Sequence, residues 1–222
     1  VIEKPVVTQW IETDMETMVT LPSIESITGD KLTAFAPNTI GIPYFKGKDN
    51  QPFSMEICKQ LFDLGNLFER IENVRTVAKS FNAFAKQEIT YRKSKNPDFT
   101  LTPEAVLQDT IDTCLIIAKR GSGTEEEKKK FMELQKGIKA FDFGFLMTGS
   151  FRLDDAVSAS ARIAYLTARL MLNDLSPIAF YTGQDMKEWN IDKTEYNFLN
   201  RLKKLPDKSA FYYWYQTVML LP

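Results

Sequence analysis

The sequence predicts an all-α fold: a four-helix bundle with an extended N-terminal arm and a short C-terminal helical extension. Between residues 54 and 172, apolar side chains recur at spacings of three and four in four separate segments. Caps, glycines and prolines separate these segments, with no strand-like alternation between them. Before residue 53, Pro5, Pro22, Pro37, Pro43 and Pro52 recur with Gly29, Gly41 and Gly47, and no helical period lasts. The expected division is an extended arm over 1–53, the bundle over 54–175 and the extension over 176–222. No sheet larger than a hairpin is expected.

The arm is too rich in apolar residues for a disordered tail, with Trp10, Ile24, Ile27, Phe35, Ile40, Ile42, Tyr44 and Phe45. It is expected to lie on a partner, with Trp10, Tyr44 and Phe45 as candidate contacts. From Ser54, Leu61, Leu64, Phe68, Ile71, Val74, Ala78, Phe81 and Ala85 mark one helical face. This reads as a single long helix to about Arg92, closed before Pro97. Thr102, Pro103 and Glu104 supply the cap, first-turn proline and first-turn acid of the second helix, which carries Val106, Leu107, Ile111, Cys114 and Ile117.

The stretch AKRGSGTEEEKKKFMEL can be read as a phosphate cradle or as a corner between helices. A Walker loop needs lysine and then Ser or Thr after its last glycine, whereas here three glutamates occupy the place of a phosphate. Lys119 and Arg120 suit a helix end, and Thr124 with Glu127 forms a capping box, so the corner is favoured. The third helix continues through Phe131, Leu134, Ile138, Phe141 and Phe145. The fourth begins after Asp154 and Asp155, acids well placed at an N-terminus, and carries Val157, Ala161, Ala164, Ala168 and Met171 inward. Its alanines are expected to face the phenylalanines of the third helix, leaving Ser158, Arg162 and Arg169 on a polar outer side. Two shorter segments, around 191–204 and 207–220, form the extension. FYYWYQTVMLLP is apolar all round, so it is either sandwiched in the core, the favoured reading, or docked on a partner.

Composition narrows the chemistry. At 222 residues and 44% hydrophobic content the chain suits one well-buried core. Twenty-eight basic residues against 29 acidic leave a net charge of −1, which gives no overall attraction to free nucleic acid. VIEKPVVTQW lacks the build of a secretion signal, and no apolar run approaches the roughly 18 residues of a membrane span. The chain is expected to be mature and soluble, its compartment open. The absence of histidine removes the commonest general base, triad base and metal ligand. Cys58 and Cys114 suit buried free thiols better than a metal or redox motif, with pairing left open. Asp109, Asp112, Glu125–Glu127, Asp154 and Asp155 sit at helix ends or on polar faces, where solvated acids stabilise helices. A carboxylate di-iron bundle would need Glu-x-x-His pairs. No cofactor, no metal and no enzymatic activity are expected. Two basic clusters, Lys128 with Lys129 and Lys130, and Arg92 with Lys93 and Lys95, are either solvated surface or docking sites for an acidic partner.

LQDTIDTCLIIAKRGSGTEEEKKKFMEL, followed by DDAVSASARIAYLTARL, resembles the second to fourth helices of the Q-type extrinsic subunit of photosystem II. The shared features are an acid-bearing helix ending in Ala-Lys, a short corner, an acidic then Lys-Lys opening and a small-residue fourth helix. The resemblance implies a non-enzymatic protein of the chloroplast thylakoid lumen that docks on the protein subunits of a membrane-embedded photosynthetic complex. The arm and lysine-rich surface would make the contacts, with Lys128 and Lys129 as the matching basic positions. A competing resemblance links LGNLFERIENVRTVAKSF and RLDDAVSASARIA to rod-shaped plant virus coat proteins and AFDF to flexuous ones. It implies RNA binding in a helical polymer, with Arg75 or Arg152 near phosphate.

Overall fold

Each helix can be traced to its local chemistry in the computed structural model, which describes residues 1–6 and 18–221. The described residues hold eight helices and two two-stranded antiparallel hairpins, so the chain is all-α. The first hairpin pairs β1 (Ile2–Pro5) with β2 (Met18–Leu21), and the second pairs β3 (Phe45–Lys46) with β4 (Gln51–Pro52).

The first departure from expectation falls in the arm. Residues 24–34 form a helix, α1 (Ile24–Ala34), capped by Ser23, whose hydroxyl accepts from Ser26 N at 3.2 Å. Leu32, Phe35, Ala36 and Ile40 are buried in the common core, so this part of the arm belongs to the fold. The sequence hid the helix because small residues make its inner face: Thr28 and Gly29 are buried beside Leu32. A Cβ on Gly29 would lie 2.5 Å from Phe81 N, which shows how closely α1 approaches the helix it packs on.

The helix predicted over 54–92 is two helices, α2 (Ser54–Phe68) and α3 (Val74–Lys95). Asn73 breaks it by capping α3, its side chain accepting from Thr76 N at 3.1 Å. Ile71 and Val74 stay buried across the break, which is why the apolar spacing ran on without interruption. The helix α4 (Pro103–Lys119) starts under Thr102, as expected, and ends where Arg120 and Gly121 take positive φ values of 52° and 85°. The Thr124–Glu127 capping box opens α5 (Glu125–Gly144), so the glycine-rich stretch is a helix corner. α6 (Leu153–Met171) begins with Asp155 accepting from Arg152 N at 2.8 Å. A 3₁₀ helix (Asn197–Lys204) and α7 (Ser209–Leu220) complete the chain.

The core is organised around α6, which packs on α4, α7 and α2, while α5 packs on α2 and α1 on α3. The expected face-to-face pairing of α5 with α6 is therefore wrong, since these helices touch only lightly. α7 takes the place given to α5: Phe211, Trp214 and Val218 are fully buried, so the aromatic C-terminal segment is core. The same packing overturns the polar outer side of α6. Ser158 is 5% and Arg169 1% exposed, because the C-terminal segment folds over them.

Arg169 shows how a buried cation is tolerated. Its Nε donates to Asp174 Oδ2 at 2.9 Å, and its remaining nitrogens donate to the Ser176 carbonyl and hydroxyl and to Pro177 O. The Arg169 hydrogen bond, with those from Ser176, holds the Asp174 carboxyl at about 2, below its ordinary 3.8. A carboxyl depressed in the folded state contributes stability that is complete above its unfolded value and fades as pH falls through the folded one. Stability is therefore expected to drop between about pH 4 and pH 2, and Asp174→Asn should flatten that part of the profile. Urea midpoints measured across the window check this, and parallel profiles for the two proteins would contradict it.

Candidate functional site on the outer face of α5

A functional site needs either converging reactive groups or a surface built to receive something. The main polar recess, about 220 Å³, is lined by Asn66, Asp155, Ser158, Arg162 and Asp207 among others. Arg162 lies 3.0 Å from Glu69 and 3.7 Å from Asp207, which ties α6 to the end of α2 and the start of α7. Burial would push the Asp207 carboxyl up, but hydrogen bonds from Ser209 and Ser158 and the Arg162 charge hold it low. Arg162 offsets only part of the negative charge of Glu69 and Asp207, the Ser158 hydroxyl is held by Asp207, and the chain has no histidine to serve as a base there. Asp109, expected on a polar face, is 5% exposed and accepts from Asn38 N at 2.8 Å, Asn38 Nδ2 at 2.6 Å and Thr39 Oγ1 at 2.8 Å. It fastens the turn after α1 to α4. Among the described residues, no group of three or more His, Cys, Asp or Glu side chains can hold a metal ion.

The candidate docking residues have separate fates. Trp10 lies outside the described residues. Tyr44 is buried at 9% exposure, with burial and then the Asp109 charge pushing its phenol up, so it is a core residue and not a partner contact. Arg92 is also turned inward, donating through Nη2 to Ile40 O at 2.5 Å, and so fastens α3 to the chain after α1. Lys93 is exposed beside a groove of about 440 Å³ lined by Ile89, Phe99 and Leu101. On α5, Lys128 pairs with Glu125 and Lys130 with Glu126, each at 2.7 Å, which offsets two of the three lysines locally; Lys129 is exposed. Arg75 and Arg152 are exposed at the starts of α3 and α6. Phe45 is 40% exposed and borders a groove of about 420 Å³ with Pro52, Met55, Gly137 and Ala140.

That groove runs beside a surface that the sequence reading missed. The solvent side of α5 presents Met132, Lys136, Lys139, Ala140 and Phe143, and Met147 follows just past the helix end. Phe143 is 95% and Met147 98% exposed, with Met132 and Phe145 about half exposed. The corner after α5 is held by buried contacts. Phe151, itself buried, donates its N–H to Asp142 Oδ1 at 2.6 Å and packs edge-on against Phe62 and Phe141. Phe145, expected to face α6, instead stacks on Phe141 with Lys59 4.5 Å above its ring, because α5 ends at Gly144. The missed signal was a second apolar row in the same helix. Phe131, Leu134, Ile138 and Phe141 form the buried row, and Met132, Ala140 and Phe143 fall between them on the opposite side.

No protein-family model, curated protein or solved structure matches the chain. Neither the photosystem II subunit nor the virus coat proteins thus gain support beyond the stretches quoted above. Among the described residues, no helix is long and apolar enough to cross a membrane.

Proposed function

We propose that the protein is a non-catalytic helical subunit that docks on a larger assembly through the outer face of α5. The observation that carries this reading is the near-complete exposure of Phe143 and Met147 on an anchored corner. Scattered apolar residues are ordinary on protein surfaces, but Phe143 and Met147, exposed within four residues of each other, with Met132 half exposed on the same helix, are a grouping that marks a surface that becomes buried. In the polar recess Arg162 is tied to Glu69 and Asp207, and the chain has no histidine to serve as a base there. An extrinsic subunit on a membrane-embedded photosynthetic complex in the thylakoid lumen is one form of this function, supported by the resemblance over the second to fourth predicted helices.

The test is size fractionation of extracts from the native source that contain either the wild-type chain or Phe143→Ser/Met147→Ser. The wild-type chain should migrate far above its own 25.5 kDa, and the double variant should shift to its own mass with circular dichroism and thermal midpoint nearly unchanged. A double variant that stays folded and remains in the assembly would remove the reading.

A further inference from the structure

We infer that the outer face of α5 receives a partner's amphipathic helix carrying acidic side chains beside its apolar row; this rests on the docking reading above. Geometry supplies the first argument. Met132, Lys136, Ala140 and Phe143 follow one another at spacings of four, four and three, a straight line about 16 Å long from Met132 to Phe143. A surface of this shape matches the row of anchors that a helix presents every three or four residues. The groove beside Ala140, about 420 Å³ and lined by Phe45, Pro52 and Met55 together with Glu56, Glu133 and Lys136, gives one large apolar anchor of that helix a place to enter.

Charge supplies the second argument and selects the partner. The cations set into the apolar row are Lys136 and Lys139. Lys136 pairs with Glu133 at 2.6 Å, and Lys139 forms no ion pair among the described residues. Lys59 adds a third cation over the Phe145 ring. A second copy of this face would bring lysines against lysines, which opposes self-association. An anionic lipid surface rewards clusters of about four to eight cations, and even with the exposed Lys129 this face only reaches the lower end of that range. An acidic helix meets the two lysines and the apolar row together.

The experiment uses the full chain and fluorescence anisotropy of two labelled amphipathic peptides, each about 18 residues long. They share a leucine row, flanked by glutamates in one and by lysines in the other. The glutamate peptide should bind preferentially. Lys139→Glu, at a position with no ion-pair partner among the described residues, should weaken its binding about threefold, and Lys136→Glu/Lys139→Glu about tenfold while improving binding of the lysine peptide. Phe143→Ser should weaken both. Equal binding of the two peptides, or no exchange of preference in the charge-reversed chain, overturns the inference. So does preferential binding to phosphatidylserine vesicles, or a dimer seen by light scattering that Phe143→Ser dissolves. Each of these leaves the docking reading to be decided separately by the Phe143→Ser/Met147→Ser fractionation.

Discussion

Trp214→Ala is expected to destabilise the protein by about 3–5 kcal/mol, the range for deleting a large aromatic from a packed interior. The side chain is fully buried in α7, a helix that packs on α6, and its removal would leave a cavity in the common core. Its Nε1–H has no hydrogen-bond partner among the described residues, an uncommon state for a buried indole. Trp214→Phe should therefore lose much less, because it removes the unmet donor along with part of the volume. Urea unfolding of both variants checks the pair. A loss below about 1 kcal/mol for the alanine variant would mean that α7 is peripheral.

Asp109→Ala should cost about 2–4 kcal/mol, although this carboxylate has no ion-pair partner among the described residues. Oδ2 accepts from Asn38 N and Thr39 Oγ1, and Oδ1 accepts from Asn38 Nδ2 and, at 3.5 Å, from Thr113 Oγ1, so alanine takes the acceptor from four donors in a nearly dry site. Asparagine should rescue little, since it offers one acceptor oxygen where two are in use. The damage should be felt first where the turn after α1 is held down. Hydrogen exchange is expected to show residues 35–44 losing protection before α6 does. Uniform loss across the chain would argue against a local fastening role.

Features written within a few neighbouring residues were legible. Thr102-Pro103-Glu104 announces α4, and Thr124 with Glu127 announces α5, because a cap is satisfied by its own helix. The burial of the aromatic α7 was also legible, since a helix apolar all round has to be covered. Features that depend on packing were not. The inner face of α1 uses Thr28 and Gly29, whose burial comes from how closely α3 approaches. Ser158 and Arg169 resemble surface residues until residues 174–177 and α7 close over them. Asn73 had the chemistry of a cap, but Ile71 and Val74 kept the apolar spacing continuous across it. Phe143 was passed over because a second apolar row on α5 was absorbed into the first.

The two cysteines occupy different seams of the molecule, and both are free and fully buried. Cys58 donates its thiol to Leu134 O at 3.4 Å, on the seam between α2 and α5, while Cys114 belongs to α4, which packs on α6. Burial pushes both thiols up, so each is a protonated group sealed from reagents in the closed state. The chain thus carries two internal clocks. The labelling rate of Cys58 times the parting of α5 from α2, the rate of Cys114 times the opening of the central helices, and their ratio measures how far the docking helix moves independently of the core that supports it.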